Sequence, residues 1–362
     1  MSEWKRVKLG DLLEEYCEKN IDQQYKVVAV GKYGIRRRED IYTKELSKDI
    51  SKNKIIMKDT LTIGMGSNQI DIGILIDDCK FCVSPAYTTY KIKNCNSEFL
   101  KYYMEYLNPK LSDLFMIVSA RQGKSVDKDG LLKYEVMLPP IGEQEKIVEI
   151  LKTIDSIIEK HERLLEEKNQ FIKSLFVEMF ERGHYPKDEF INIAKEIYAG
   201  GDKPKDISKV KEGEYLYPVF ANGYENEGLQ GYSKVYRTGD SAVTISARGT
   251  IGYSFIRNEK FTPIVRLITI IPNEKANVVY LKYAIDNLNI AGSGTSQAQL
   301  TVPDIKKNKI IIPPIELQNK FADFVKQIDK QKFLLEKQKQ NYENLRKGLM
   351  QKLLTGKVRV KI

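Results

Sequence analysis

Twice along the chain the apolar pattern changes from short runs to a helical period. After Pro139 and Pro140, Ile147, Ile154, His161, Lys168 and Leu175 recur every seven residues. Ile150, Ile157, Leu164 and Phe171 follow them at a spacing of three, and Leu151, Ile158, Leu165 and Ile172 widen the stripe. After Pro313 and Pro314 the same phase returns at Phe321, Ile328, Leu335, Tyr342 and Leu349, flanked by Phe324, Val325, Leu345 and Leu353. The two copies align without a gap, pairing Pro139 with Pro313, Gln144 with Gln318, Lys146 with Lys320, Ile154 with Ile328 and Asp155 with Asp329. Prolines cost little at a helix start, where the first amides have no intrahelical partners, so each Pro-Pro predicts a boundary between a globular part and a long helix. Gly183 and Gly356 lie near the far ends.

About 38 residues at roughly 1.5 Å each give rods about 57 Å long, and neither rod buries its stripe alone. The reading favoured here pairs them with each other as an antiparallel coiled coil, with His161 and Lys168 at inward positions setting register. Packing of each helix on its own globular part, or dimerisation through the helices, stays open. The segments before the helices echo each other more faintly. "DTLTIGMGSNQIDIGILI" is matched in order by "DSAVTISARGTIGYSFI", "VSPAYTTYKI" by "FTPIVRLITI", and "EFLKYYMEY" by "VYLKYAIDN". Short β-branched runs punctuated by Gly, Asn and Asp, then one amphipathic helix, predict an α+β unit in each half. The expected boundaries are 1–140 and 183–313 for the globular parts, and 141–182 and 314–362 for the helices and tail.

Length agrees with this division, since 362 residues exceed one ordinary core. The apolar runs are too short to span a bilayer, and "MSEWKRVKLGDLL" has no signal-peptide core, which leads to the expectation of a cytoplasmic protein. Cys17, Cys79, Cys82 and Cys95 do not form a disulfide scaffold. The "CKFC" pair has zinc-like spacing, but no second pair or nearby histidine completes four ligands, so no metal is expected. Net charge is +10, which suits a nucleic-acid partner without requiring one. Lys plus Arg against Asp plus Glu runs 7 to 10 over 141–182 and 12 to 5 over 314–362, so the two helical segments carry opposite signs. Opposite signs favour pairing the helices with each other.

No catalytic motif is recognisable. "GMGSNQ" has two glycines at dinucleotide-binding spacing but ends in Gln69 and opens no helix, and neither GxxxxGK[ST] nor HExxH occurs. Two histidines support few relays. What remains is a set of polar, glycine-flanked, basic or aromatic loops. In the first half they supply Lys32, Tyr33, Arg36, Arg37, Arg38, Ser67, Asn68, Gln69, Arg121, Gln122, Lys124 and Ser125. In the second half they supply Lys203, Asn222, Tyr224, Ser246, Arg248, Thr250, Ser293, Thr295, Ser296 and Gln297. Arg reads guanine and Asn or Gln reads adenine by paired hydrogen bonds, while Lys, Ser and Thr hold phosphates. Such residues at loop tips are what a DNA reader needs, although Gly, Ser, Asn and Lys also fill ordinary turns. Within the set, the Arg36 to Arg38 run is read as phosphate-facing, and Tyr33 and Tyr224 have a competing reading as core aromatics.

The ordered set of motifs resembles the specificity subunits of type I restriction-modification systems, over essentially the whole chain. "WKRVKLGDL" at the start, "LPPIGEQEKI" before the first long helix, a second such block, and "KLLTGKVRV" at the end carry the likeness, with "AGGDKP" and "YPVFANGY". Two departures are Leu317 where the first block has Glu143, and Asp202 where a small hydroxyl residue is expected. The resemblance implies two target-recognition domains reading a bipartite site in double-stranded DNA, with the helices as conserved spacers. It also implies docking of two methyltransferase subunits that methylate adenine at N6 with S-adenosylmethionine, and of two restriction subunits using ATP and magnesium. On that view this chain is non-catalytic and binds none of those cofactors. A coiled-coil scaffold for other proteins, or the specificity part of another methyltransferase system, is the alternative.

Overall fold

A computed structural model describes residues 3–31, 34–38, 49–119, 123–249, 251–288 and 299–361. The chain divides into two compact units, one of Met1–His161 with Gln338–Ile362 and one of Glu162–Lys337. Four helices organise them: α1 (Ser97–Phe115), α2 (Ile141–Phe176), α3 (Val278–Asn287) and α4 (Ile315–Leu353). Both Pro-Pro pairs sit directly before a long helix, where the amides of Glu143 and Gln144 bond the Pro140 carbonyl and those of Leu317 and Gln318 the Pro314 carbonyl.

The first unit is built on an antiparallel sheet ordered Leu13–Glu15, Thr88–Ile92, Thr60–Met65, Ile70–Leu75. Its residues alternate between two apolar layers, as a period of two requires. Leu61, Ile63, Ile70 and Ile74 face α1 through Phe99, Leu100 and Leu111, together with Ile147 and Leu151 of α2 and Met350 and Leu353 of α4. A smaller cluster of Val28, Val30, Ile56, Leu75 and Val83 joins the flanking hairpins. Here α2 and α4 run antiparallel, because Asp155 meets Arg346 while His161, further along α2, packs against the ring of Tyr342, earlier in α4.

The second unit repeats the sheet as Ala194–Ala199, Ile268–Pro272, Ala242–Ile245, Ser254–Arg257, again antiparallel. The segments paired by their sequence echo therefore occupy equivalent places: central hairpin, returning strand and following helix. Its core joins Val243, Ile245, Ile268 and Ile270 to Tyr280 and Leu281 of α3 and to Ile172 and Phe176 of α2 and Phe321 and Val325 of α4. The antiparallel order holds here too, with Lys168 bonding Gln331 at 2.7 Å and Phe176 packing on Phe321. His161 and Lys168 thus take the inward positions expected of them, each with a partner on α4.

The repeated glutamines explain why the Pro-Pro block occurs twice. Gln144 donates to the Pro139 carbonyl at 2.8 Å and accepts from the amide of Asn96, the residue that caps α1, at 2.8 Å. Gln318 donates to the Pro313 and Lys275 carbonyls at 2.9 Å and accepts from the amide of Asn277, the cap of α3, at 2.8 Å. Each glutamine is buried and bonds the polar backbone around it, so it fixes a short helix to the start of a long one. The departure at Leu317 has a local cause. Glu143 accepts from Arg359 at two oxygens (2.7 Å each), from Trp4 Nε1 at 3.1 Å and from the Val360 amide at 3.2 Å. It therefore ties the segment after α4 to Trp4, which directly precedes the strand Lys5–Lys8. The second unit has no such junction to hold, because there the chain runs on from α2 through Val177–Glu181 to Lys187–Glu189, and Leu317 packs on the apolar core instead.

Candidate nucleic-acid interface

In the first unit, the strands Thr60–Met65 and Ile70–Leu75 pair up to Met65 and Ile70, leaving Gly66 to Gln69 as the turn. A Cβ on Gly66 would lie 2.3 Å from the Gln69 carbonyl and 2.5 Å from Asp71 Oδ1, so this turn needs glycine. Ser67 and Asn68 are exposed at its tip and Gln69 is half-buried. Lys124, on the strand Gly123–Val126, donates its ammonium to the Ser67 carbonyl, which brings the "GMGSNQ" and "ARQGKS" loops together. Ser125 is exposed beside it. Arg36 and Arg37 are exposed and Arg38 is half-buried on the hairpin Val28–Gly31 with Gly34–Arg37. That hairpin packs on Ile70–Leu75, where a Cβ on Gly73 would come within 2.6 Å of Ile35. Asp71 sits at the root of the turn, and burial raises its carboxyl above the ordinary range. Lys32, Tyr33, Arg121 and Gln122 lie outside the described residues.

In the second unit, hydrogen bonds gather four loops. Asn222 Oδ1 accepts from the Ala247 amide at 2.7 Å and its Nδ2 donates to the Val265 carbonyl at 2.7 Å. Ser246 Oγ accepts from the Gly223 amide at 3.2 Å. Val265 and Arg266 adopt left-handed φ of 51° and 60°, an uncommon conformation for such side chains. Their amides bond the Gly201 and Gly200 carbonyls at 2.8 and 3.0 Å. A Cβ on Gly200 would meet backbone at 2.7 Å, so that glycine permits the close approach. The "AGGDKP", "FANGY" and "SARGT" loops therefore form one surface with residues 264–266. Lys203, Arg248 and Arg266 are exposed on these loops.

Two expectations change. Tyr224 is not a core aromatic: it is 61% exposed, and its ring lies 4.7 Å from that of Tyr253, itself 46% exposed. Beneath it, Arg257 is buried over the Phe220 ring at 3.6 Å and bonds Glu227 Oε2 at 2.8 Å, fixing the turn that follows Tyr224. Burial pushes the Arg257 guanidinium down to about 10. Ser246 is only 1% exposed, and Asn222 spends both ends of its amide on backbone, so these two hold the frame and do not project from it. Thr250, Ser293, Thr295, Ser296 and Gln297 lie outside the described residues. Two further residues exposed on these loops, Tyr253 and Arg266, were not singled out from the sequence. Tyr253 stands in the same glycine-flanked turn as Arg248, a signal available in "ARGTIGY".

The two cysteines of "CKFC" are free thiols, Cys79 half-buried and Cys82 buried. Cys82 is buried and takes hydrogen bonds from Asn20 and Asn53 at 3.4 and 3.6 Å. Among the described residues no group of three or more His, Cys, Asp or Glu is placed to hold a metal ion. No helix among them is long and apolar enough to cross a membrane.

The family model for the type I restriction modification DNA specificity domain matches residues 1–169 and again 191–342. A protein of Mycoplasma pneumoniae named as a type I specificity subunit is 28% identical over 250 residues, covering 67% of this chain and 68% of that one. The crystal structure of a type I restriction-modification S subunit from M. genitalium shares the fold with a TM-score of 0.56 at 16% identity, over 97% of this chain and 96% of that one. A chain from a structure on complex assembly and conformational transition of the type I R-M system does so with a TM-score of 0.58 at 14% identity, over 99% of both chains.

Proposed function

This chain belongs to the type I restriction-modification DNA specificity family and is a DNA specificity subunit, and we propose that each of its two heads reads one half of a bipartite site in double-stranded DNA. The observation that carries this reading is the repeated frame with unlike loops. Gln144 and Gln318 make the same fastening in the two units, while one head presents Ser67, Asn68, Gln69, Lys124 and Ser125, and the other presents Lys203, Tyr224 and Arg248. In this account Arg36, Arg37, Arg38, Lys124 and Lys203 contact phosphates, which position the protein, and the turn tips contact base edges, which specify the site.

The long helices pair along their length as an antiparallel coiled coil and serve as conserved spacers, with 1–140 and 183–313 as recognition domains and 141–182 and 314–362 as helices and tail. An internal duplication offers two equivalent docking surfaces to identical partners. Two methyltransferase subunits dock there, and two restriction subunits join for cleavage, in the cytoplasm. The chain itself is non-catalytic. S-adenosylmethionine, ATP and magnesium belong to those partners, which give the assembly its adenine-N6 methyltransferase and ATP-dependent endonuclease activities.

Mapping methylated adenines in host DNA with and without this gene tests the reading. The expected result is one bipartite motif, with an unread spacer, that disappears with the gene. Methyl transfer by the purified chain alone, or binding that ignores sequence and barely changes with salt, would contradict it, because phosphate contacts weaken steeply as salt rises.

A further inference from the structure

In the second head, Arg248 does not stand alone. It projects from the exposed turn between the strands Ala242–Ile245 and Ser254–Arg257, and its Nη2 donates to Gln299 Oε1 at 3.0 Å. The bond is built into the backbone. The Leu300 amide donates to the Ala247 carbonyl at 3.0 Å, which holds the neighbours Gln299 and Arg248 side by side, and Ala247 is itself fixed by Asn222 at 2.7 Å. A guanidinium carries five N–H donors in one plane, so a single acceptor on one edge leaves the rest of the fork free to bond elsewhere. An arginine already held in position loses less conformational freedom when it binds. The same turn carries the exposed Tyr253 against Tyr224, at 46% and 61%, so one of these two exposed rings follows Arg248 in chain order.

Guanine is the base that offers two acceptors, N7 and O6, on its major-groove edge, whereas adenine and cytosine each present an amino donor there. A fixed, donor-only fork matches the first and is disfavoured by the others. We propose that Arg248, oriented by Gln299, reads a guanine in the half-site of the second head, with Gln299 as its positioning residue. This rests on the reading of the chain as a DNA specificity subunit and adds to it the identity of one base.

The test uses the full chain assembled with its methyltransferase partners and a library of duplexes randomised over both half-sites, scored by methylation. Arg248→Ala is expected to lose a preference of roughly 10- to 100-fold for guanine at one position of one half-site, with the other half-site unchanged. Arg248→Lys keeps the charge but not the fork, so it retains overall affinity and loses the same preference. Gln299→Ala narrows the preference at that position only. Both side chains are at the surface, so unchanged unfolding midpoints are the control. Equal weakening on all sequences in Arg248→Ala, a full preference in Arg248→Lys, or an intact guanine preference in Gln299→Ala overturns the proposal. Absence of any sequence preference in the unaltered protein would instead sink the specificity reading beneath it.

Discussion

The two units fasten the same pair of helices by different chemistry. In the first, Arg346 of α4 bonds Asp155 of α2 at 2.5 Å and Glu105 of α1 at 2.7 and 3.0 Å, while Tyr102 donates to Asp155 at 2.6 Å. In the second, the residue aligned with Asp155 is Asp329 and the residue aligned with Tyr102 is Tyr283, yet among the described residues no arginine joins them. An aromatic cluster of Phe176, Phe180, Tyr280, Tyr283 and Phe321 takes that place, with ring centroids 4.9 to 5.7 Å apart. The elbows repeat the lesson on a smaller scale, with Gln144 and Gln318 alike but Glu143 opposite Leu317. A duplicated frame keeps the groups that satisfy backbone and lets the rest diverge, because backbone polar groups must be paired at both sites whereas the surrounding contacts need only be adequate.

The contrast is open to direct attack, starting with the aromatic side. Phe321→Ala removes a side chain that is fully buried, and should cost roughly 3–5 kcal/mol in urea unfolding, with little dependence on salt. Arg346→Ala leaves two carboxylates without their partner in a half-exposed setting, and should cost about 2 kcal/mol at low ionic strength and less at high. Equal salt sensitivity of the two variants would erase the distinction between the units.

Glu143 gives a smaller, pH-dependent effect. The Arg359 guanidinium beside it, with help from Trp4 and the Val360 amide, holds its carboxyl below the ordinary range despite burial. A lowered folded-state value means that the stabilisation is fully present above the unfolded carboxylate value and is lost as pH falls through the folded one. Unfolding followed from neutral to acid pH should show this loss in the unaltered protein and not in Glu143→Leu, which copies the residue of the second elbow. An identical pH profile for the two proteins would remove Glu143 from the account.

Much of this frame was legible in the sequence, for a physical reason. The heptad stripes and Pro-Pro boundaries are local patterns, and α2 and α4 begin at the residues after the prolines. The fainter echo between the globular parts foretold equivalent sheets, because matched β-branched runs fill matched strands. The fastening of Gln144 to Asn96 and of Gln318 to Asn277 was not legible, since each of these two bonds closes over more than 40 residues of chain. The site was read less well for a related reason. Polar type and glycine spacing picked out the loops, but whether a side chain projects or turns inward depends on what the neighbouring loop offers. Asn222 and Ser246 found backbone to bond, while Tyr224 found another exposed ring.

Two heads that read independently are the central claim, and exchanging one of them tests it most directly. Residues 183–313 are replaced by the equivalent segment of another family member with a different target, and the methylated motif is mapped in cells that supply the same partner subunits. The account predicts a new sequence in one half-site, with the other half-site and the spacer length retained. A motif in which both halves change, or in which neither does while the protein remains active, would contradict it.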